Sequence, residues 1–442
     1  MLIKAKAYQG ASCHGIGQSD FSRAMSRLGP FEDSPHLAVA LSGGADSTAM
    51  LSLLQGWCLN QGGKITALIV DHGLRLNSAP EAALALKRAR SLGLECRVLV
   101  WEGKKPKSGV QEAAREARYG LIGRWCRDNG VLHLAVGHHI HDNEETIEMR
   151  SDHGSGTVGL AGISAQKELD WGRIIRPCLG FTREALRQHL LERGLSWVED
   201  SSNEDCRFER VRVRKRLSEL SQPKELNLHL GAKLRNRIEL TIGKFVACHA
   251  MISPLGYAKI KATRLLSLSP EIAQRVLGGF CVTIGSTKFP PRRAKVTSLL
   301  ENLRTGNFQG RTLGGCQIIL EEGYLIIFRE WQRCCREKMQ AGFIINWDSR
   351  FNFTAPEVKG ITVGPLGDAQ DPNINEIIKT FSEIHRIPRG VLMGLPALFR
   401  GKTLLAVPNL GYGKSSRYVR LASLEVSFRP QRPVTSARFE VA

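Results

Sequence analysis

The turn Ser42-Gly43-Gly44-Ala45-Asp46-Ser47 gathers two hydroxyls, two adjacent glycines and one carboxylate. Paired glycines let a backbone turn tightly and bring its N–H groups against a phosphate. Serine hydroxyls add hydrogen bonds, and a helix starting behind the turn adds a favourable dipole. Asp46 suits such a site if it holds Mg²⁺, which takes carboxylate and phosphate oxygens together. An ordinary glycine-rich turn with aspartate as a helix cap would look the same. A second pair, Asp142 and Glu145, stands three residues apart on an expected helix, so the carboxylates share a face about 5–6 Å apart. A solvated acidic helix start, favoured by the dipole, is the plainer account of that pair. His138, His139, His141 and His153 crowd the same region, without the cysteines or spaced further ligands of a zinc site.

The elements around these residues are legible as alternating runs. Leu37 to Leu41, Ile65 to Val70, Cys96 to Val100 and Val131 to Val136 are short and apolar on both faces. Helical spacing over Ser47 to Cys58, Pro80 to Leu92 and Val110 to Asn129 separates them, and another helix starts near His141. Strands buried on both faces and alternating with helices predict a doubly wound parallel α/β sheet over about residues 36–216. Ligands of such sheets sit at the carboxyl ends of the strands, where all the groups above fall. Residues 1–35 are expected to be an N-terminal extension, 217–335 a mostly helical domain and 336–442 a small β-containing domain.

Two later triplets, Gly401-Lys402-Thr403 and Gly413-Lys414-Ser415, mimic the end of a Walker A loop, but Pro396 and Pro408 stand where its first glycine is needed.

Charge narrows the partner. Of 442 residues, 62 are Lys or Arg and 42 Asp or Glu, a net charge of +20. Residues 1–216 account for +5 of this and residues 217–442 for +15. Such an excess favours a polyanion, above all nucleic acid. From Arg207 to Arg216 six basic residues face one glutamate, and Arg207, Arg212, Arg214, Lys215 and Arg216 are the expected RNA contacts. No run of about 20 apolar residues could span a membrane. Eleven cysteines without a Cys-x-x-Cys pair suit reduced thiols, and a cytoplasmic location is expected.

The loop resembles the signature of the PP-loop ATP pyrophosphatases, S-G-G-x-D-S after a first strand. The rest of the chain is similar, within that group, to the tRNA(Ile)-lysidine synthetases. The matching segments are Val70-Asp71-His72-Gly73-Leu74-Arg75, Gln111-Glu112-Ala113-Ala114-Arg115 with Arg118-Tyr119, and Gly137-His138-His139 leading to Asp142 and Glu145-Thr146. Further on come Gly154-Ser155-Gly156-Thr157-Val158-Gly159-Leu160, Arg176-Pro177, and Glu199-Asp200-Ser201-Ser202-Asn203 running into Phe208-Glu209-Arg210.

The resemblance implies a definite reaction. ATP adenylates C2 of the wobble cytidine in a CAU-anticodon isoleucine tRNA, pyrophosphate leaves, and the ε-amine of free lysine displaces AMP to give lysidine. It implies ATP contacts along Ser42–Ser47, Mg²⁺ on Asp46, and a lysine and reaction site at Asp142 and Glu145, where carboxylates could hold the ammonium and take its proton. Arg118 and Arg210 would be active-site contacts whose rigid guanidinium forks suit phosphate charge. The partners are then the tRNA, lysine and ATP, with a homodimer conceivable. Four positions depart from the family pattern: His141 for Asp, Asn143 for Gln, His153 for Arg, and Val211 for Asn. Rival readings are a PP-loop sulfurtransferase, an amidoligase, and a basic RNA-binding protein with an inactive nucleotide domain.

Overall fold

The computed structural model describes residues 2–3, 15–74, 78–103, 105–106, 108–153, 158–198, 209–219, 228–358, 360–370, 372–415 and 418–435. The chain divides into two compact units, one running to Arg237 and the other starting at Ile238.

The first unit is the α/β domain. Its elements are α1 (Gln18–Arg27), β1 (His36–Ala40), α2 (Ala45–Asn60), β2 (Lys64–Asp71), α3 (Ser78–Ser91), β3 (Glu95–Val100), α4 (Val110–Asp128), β4 (His133–Ala135), α5 (Ile140–Asp152), β5 (Gln166–Leu169), β6 (Gly172–Ile175), α6 (Arg183–Glu192) and α7 (Glu209–Ser218). The sheet order is β3-β2-β1-β4-β6-β5. Every pairing is parallel except β5 with β6. From β1 the chain first builds outward through β2 and β3, then returns to lay β4 on the other side of β1. The strand order therefore reverses between β1 and β4, and in such sheets the ligand crevice is expected beyond the carboxyl ends of those two strands.

Burial explains the alternation. Leu37, Ala38 and Val39 of β1 are all buried, as are Ala49, Met50, Leu53 and Leu54 of α2, so strand and helix are apolar because both are enclosed. Helix α1 adds Phe21 and Met25 to this same core. Residues 18–27 are thus part of the domain rather than an extension from it. A stretch of ten amphipathic residues ahead of the first strand carries no sign in the sequence of which surface it will cover.

In the second unit, residues expected to be mainly helical hold a sheet as well. Helix Pro270–Gly285 and helix Arg293–Arg304 accompany a five-stranded antiparallel sheet. Its strands Ala250–Ile252 and Tyr257–Lys261 are a hairpin that helical spacing did not reveal, because three- and five-residue strands leave almost no periodicity to read. The hairpin Cys316–Glu321 with Tyr324–Arg329, expected around Glu322-Gly323, is present. One core joins Tyr257, Ile326 and Phe328 to Trp347, Phe399 and Leu405, so residues on both sides of 335 fold together. Among the described residues, no helix is long and apolar enough to cross a membrane.

Candidate active site

Strand β1 delivers the Ser42–Ser47 loop to the crevice, and hydroxyls hold its shape. Ser47 Oγ donates to the Gly44 carbonyl (3.1 Å), accepts from the Ser42 amide (3.3 Å) and meets Ser42 Oγ at 3.0 Å. Thr48 Oγ1 donates to the same Gly44 carbonyl at 2.9 Å. Gly43 sits at φ +81°, a region L side chains rarely adopt, and a Cβ there would lie 3.3 Å from that of Ala85. Gly44 is the N-cap of α2 and no side chain caps the helix. Asp46 therefore does not act as the cap. It lies in the first turn, and its Oδ1 is buried without a hydrogen-bond partner. Burial pushes the Asp46 carboxyl up, only partly offset by the attraction of nearby His139 and Arg183.

Strand β4 brings the second group. Gly137 passes so close to α2 that a Cβ would stand 3.1 Å from the Asp46 carbonyl carbon and oxygen, which fits only glycine comfortably. His139 is the N-cap of α5 in a reciprocal cap: its Nδ1 accepts from the Asp142 amide (3.3 Å) and its own amide donates to Asp142 Oδ2 (3.0 Å). Because Nδ1 accepts, the proton of neutral His139 is on Nε2. That atom lies 3.7 Å from Asp46 Oδ2 and 3.5 Å from Asp142 Oδ2. One buried imidazole thus stands between the loop carboxylate and the helix carboxylate. His138 is neutral for another reason: burial pushes it down to about 3, and its Nδ1 accepts from Arg176 Nε at 3.1 Å.

Helix α7 supplies two guanidiniums to α5. Arg210 donates from Nη2 to Asp142 Oδ1 (2.7 Å) and from Nε to Glu145 Oε2 (2.5 Å). Arg214 Nε donates to Glu145 Oε1 at 2.6 Å. Glu145 is 2% exposed, so its charge is balanced almost wholly by these two arginines. Burial alone would raise the Asp142 carboxyl, but His139, Arg210 and His138 outweigh it and hold it below the ordinary aspartate range. Burial likewise lowers Arg214, and the hydrogen bond and charge of Glu145 reverse the sign.

The structure thus brings Asp46, Asp142, Glu145 and Arg210 of the expected set together. Arg118 reaches His72 Nε2 at 3.4 Å, at the carboxyl end of β2. Among the expected RNA contacts, Arg214 is turned to Glu145, and Arg216 bonds Asp152 (2.7 Å) and Glu148 (3.3 Å). Arg212 and Lys215 are exposed, and Arg207 lies outside the described residues. So do the matching segments 154–157 and 199–208 and Arg75.

The departures have local explanations. Asn143 is buried and accepts from the Ile163 amide at 2.6 Å, and Val211 is buried in α7. His141 is half-buried with its Nδ1 3.9 Å from Glu184 Oε2, and His153 is exposed. Sequence reasoning missed Arg183, the first residue of α6 behind the Thr182 cap, whose Nε stands 4.0 Å from Asp46 Oδ1. The available signal was a cation at the first position of a helix, where the dipole disfavours it.

Comparison with known proteins identifies relatives of the chain. Residues 18–221 match the family model described as a PP-loop domain. A tRNA(Ile)-lysidine synthase of Ruegeria pomeroyi is 34% identical over 404 residues, covering 90% of this chain and 94% of that protein. Another, from Anaplasma marginale, is 31% identical and covers 88% of each chain. Among solved structures, a U34-tRNA thiolase from Methanococcus maripaludis aligns with TM-score 0.42 at 16% identity, covering 50% of this chain and 78% of that one. Similarity at this level along nearly the whole of both chains assigns the family: the chain belongs to the tRNA(Ile)-lysidine synthases, with a PP-loop domain as its first unit.

Proposed function

We propose that this protein modifies the wobble base of a CAU-anticodon isoleucine tRNA in two steps, using ATP and free lysine. In the first, O2 of the cytidine attacks the α-phosphorus, the bond to the β-phosphate oxygen breaks, and pyrophosphate leaves with that electron pair. In the second, the ε-amine of lysine attacks C2, AMP leaves, and the ammonium proton passes to a carboxylate.

The observation that carries this reading is the adjacency of two unlike sites. A glycine-rich turn with an unpartnered carboxylate oxygen lies one imidazole away from a buried acidic pair. The first suits a polyphosphate and the second an ammonium group. The donor set also fits Mg²⁺. Asp46 Oδ1 is buried and unpartnered, and the ion prefers one or two carboxylates completed by substrate phosphates. Bound on Asp46, Mg²⁺ would neutralise charge on the polyphosphate. The chain's own groups do the rest: Ser42, Ser47 and the backbone of Gly43 to Ala45 seat the phosphates. Asp142 and Glu145 hold the amine, with Glu145 and Asp142 as the acceptors of its proton. The +15 surplus of residues 217–442 suits tRNA as the partner.

The deciding experiment combines the protein with ATP, Mg²⁺, labelled lysine and the tRNA transcript. AMP release that requires both lysine and tRNA, with label in the RNA, is the expected result. AMP release without lysine incorporation would retain ATP-dependent base activation and overturn the lysine step.

A further inference from the structure

We propose that Arg183 binds the β- and γ-phosphates of ATP and stabilises the departing pyrophosphate. This rests on the ATP reading above and adds a residue to it.

The case starts from what the other cations are doing. Arg210 commits its Nε and Nη2 to Glu145 and Asp142, Arg214 is held by Glu145, and Arg176 Nε and Nη1 go to His138 and the Ser164 carbonyl. Arg118 is turned to His72. A polyphosphate seated on the loop would meet backbone amides, hydroxyls and one carboxylate of its own sign. Arg183 and Arg187 of α6 both bring positive charge to that carboxylate, and Arg183 is the one whose Nε lies against it. Its Nε is buried without a hydrogen-bond partner and stands 4.0 Å from Asp46 Oδ1, which is itself buried and unpartnered.

Two opposite charges that were meant for each other would close to about 2.8 Å. Left at this separation, each keeps a desolvated atom unsatisfied, which costs stability. A third group that accepts from Nε and brings a cation to Oδ1 would satisfy both atoms. A phosphoryl oxygen with its metal ion has that chemistry.

The position of Arg183 in α6 argues the same way. Thr182 caps the helix, its Oγ1 accepting from the Ala185 amide at 3.1 Å, which makes Arg183 the first helical residue. A cation there opposes the helix dipole. Folding alone would favour Asp or Glu at this place. The arginine makes sense if an anion arrives in front of it. When the α-phosphorus bond breaks, the electron pair moves onto the leaving pyrophosphate, so the guanidinium interacts more strongly in the transition state than with bound ATP. That differential raises turnover as well as affinity.

Three ligands separate this role from a structural one: ATP, inorganic pyrophosphate and AMP, titrated calorimetrically against the full chain with Mg²⁺. Arg183→Ala is expected to weaken ATP and pyrophosphate about 10- to 100-fold, the worth of one charge-assisted hydrogen bond, and leave AMP within about twofold. AMP formation should slow by about 10²-fold while the KM for lysine stays put. Arg183→Lys should recover part of the pyrophosphate affinity and, as the milder change, gives the reading if the alanine variant unfolds. If wild type binds ATP but Arg183→Ala binds pyrophosphate equally well, or loses AMP in the same proportion, the proposal is overturned and the ATP reading survives. If wild type binds neither ATP nor pyrophosphate, both fall.

Discussion

The two ends of the crevice are opposites in how completely their charges are met. At the acidic end every carboxylate oxygen is taken: Asp142 by Arg210 and the His139 amide, Glu145 by Arg210 and Arg214. At the loop end Asp46 Oδ1 and Arg183 Nε are both buried and unpartnered. On the proposed function the loop end waits for a phosphate and its metal ion. The acidic end is built around protein cations, so the ammonium group of the proposed reaction would have to replace one of them. A guanidinium on a carboxylate is the nearest internal mimic of a bound lysine side chain. On the proposed function, the same fold keeps the phosphate subsite ready and the lysine subsite filled.

The loop end is where a single atom should matter most. Asp46→Asn keeps the shape and removes the charge, and we expect AMP formation to fall by roughly 10³-fold or more, since the phosphate charge would lose its cation. Near-normal AMP release would remove Asp46 from the phosphate site and erase the contrast between the ends. Next in size is Glu145→Gln. Two guanidiniums would lose the charge of a buried partner, and the KM for lysine should rise about 100-fold with a loss of about 2 kcal/mol of stability, discounted because both arginines are a third exposed. An unchanged KM for lysine would place the amine elsewhere.

How much of this the sequence disclosed depends on distance along the chain. The Ser42–Ser47 loop is a local event, a strand, a turn and a helix within 25 residues, and the positive φ of Gly43 belongs to that turn itself. Asp142 and Glu145 are also local, because three residues on a helix fix a shared face. The partners of that pair are not local. Arg210 and Arg214 are 65 to 69 residues away from Glu145 and belong to a run whose density of charge suggested RNA. Counting charges could not tell a guanidinium aimed at a buried carboxylate from one aimed at solvent. Arg183 also lies far along the chain from its partner Asp46, and its one local signal was a cation at the first position of a helix. Helix α1 and the 250–261 hairpin were missed because short amphipathic or extended pieces acquire their identity from the surface they join.

A third variant tests whether the acidic end is really occupied. Arg210→Ala should free Asp142 Oδ1 and Glu145 Oε2, and lysine should bind the free protein about 5-fold more tightly while turnover drops, because removing a competing internal cation favours an external one. Weaker lysine binding would mean that Arg210 organises the pair rather than blocks it.

Stability should show the contrast with opposite signs. The Asp142 carboxyl is held below its ordinary value of 3.8, so its ionised form stabilises the fold above about pH 4 and that contribution fades as pH falls further. The Asp46 carboxyl is raised above 3.8, so its neutral form is the one the fold favours. Its contribution is full below about pH 4 and is lost as pH rises through the folded value. At pH 7 Asp142→Asn should therefore lower the unfolding temperature and Asp46→Asn raise it, by a few degrees each. The two curves should converge toward wild type below pH 4. Shifts of the same sign would break the comparison.

The smallest effect concerns α7, where Arg212, Lys215 and Arg216 are exposed, Arg216 also bonding Asp152 and Glu148, while Arg214 is turned to Glu145. A side chain held by Glu145 or by Asp152 has little left to offer a phosphate. Replacing Arg212 or Lys215 with Ala should lower the slope of log affinity for tRNA against log salt by about one for each phosphate that is no longer neutralised. Arg216→Ala should change the slope by less than half of that, and Arg214→Ala should leave it flat while raising the KM for lysine. If all four variants lower the slope equally, α7 presents itself to RNA as a uniform track, and the bonds to α5 yield when RNA binds. Unequal slopes would mean that the helix divides its cations, Arg214 for the acidic pair, Arg216 shared with α5, and Arg212 and Lys215 for the backbone of the RNA.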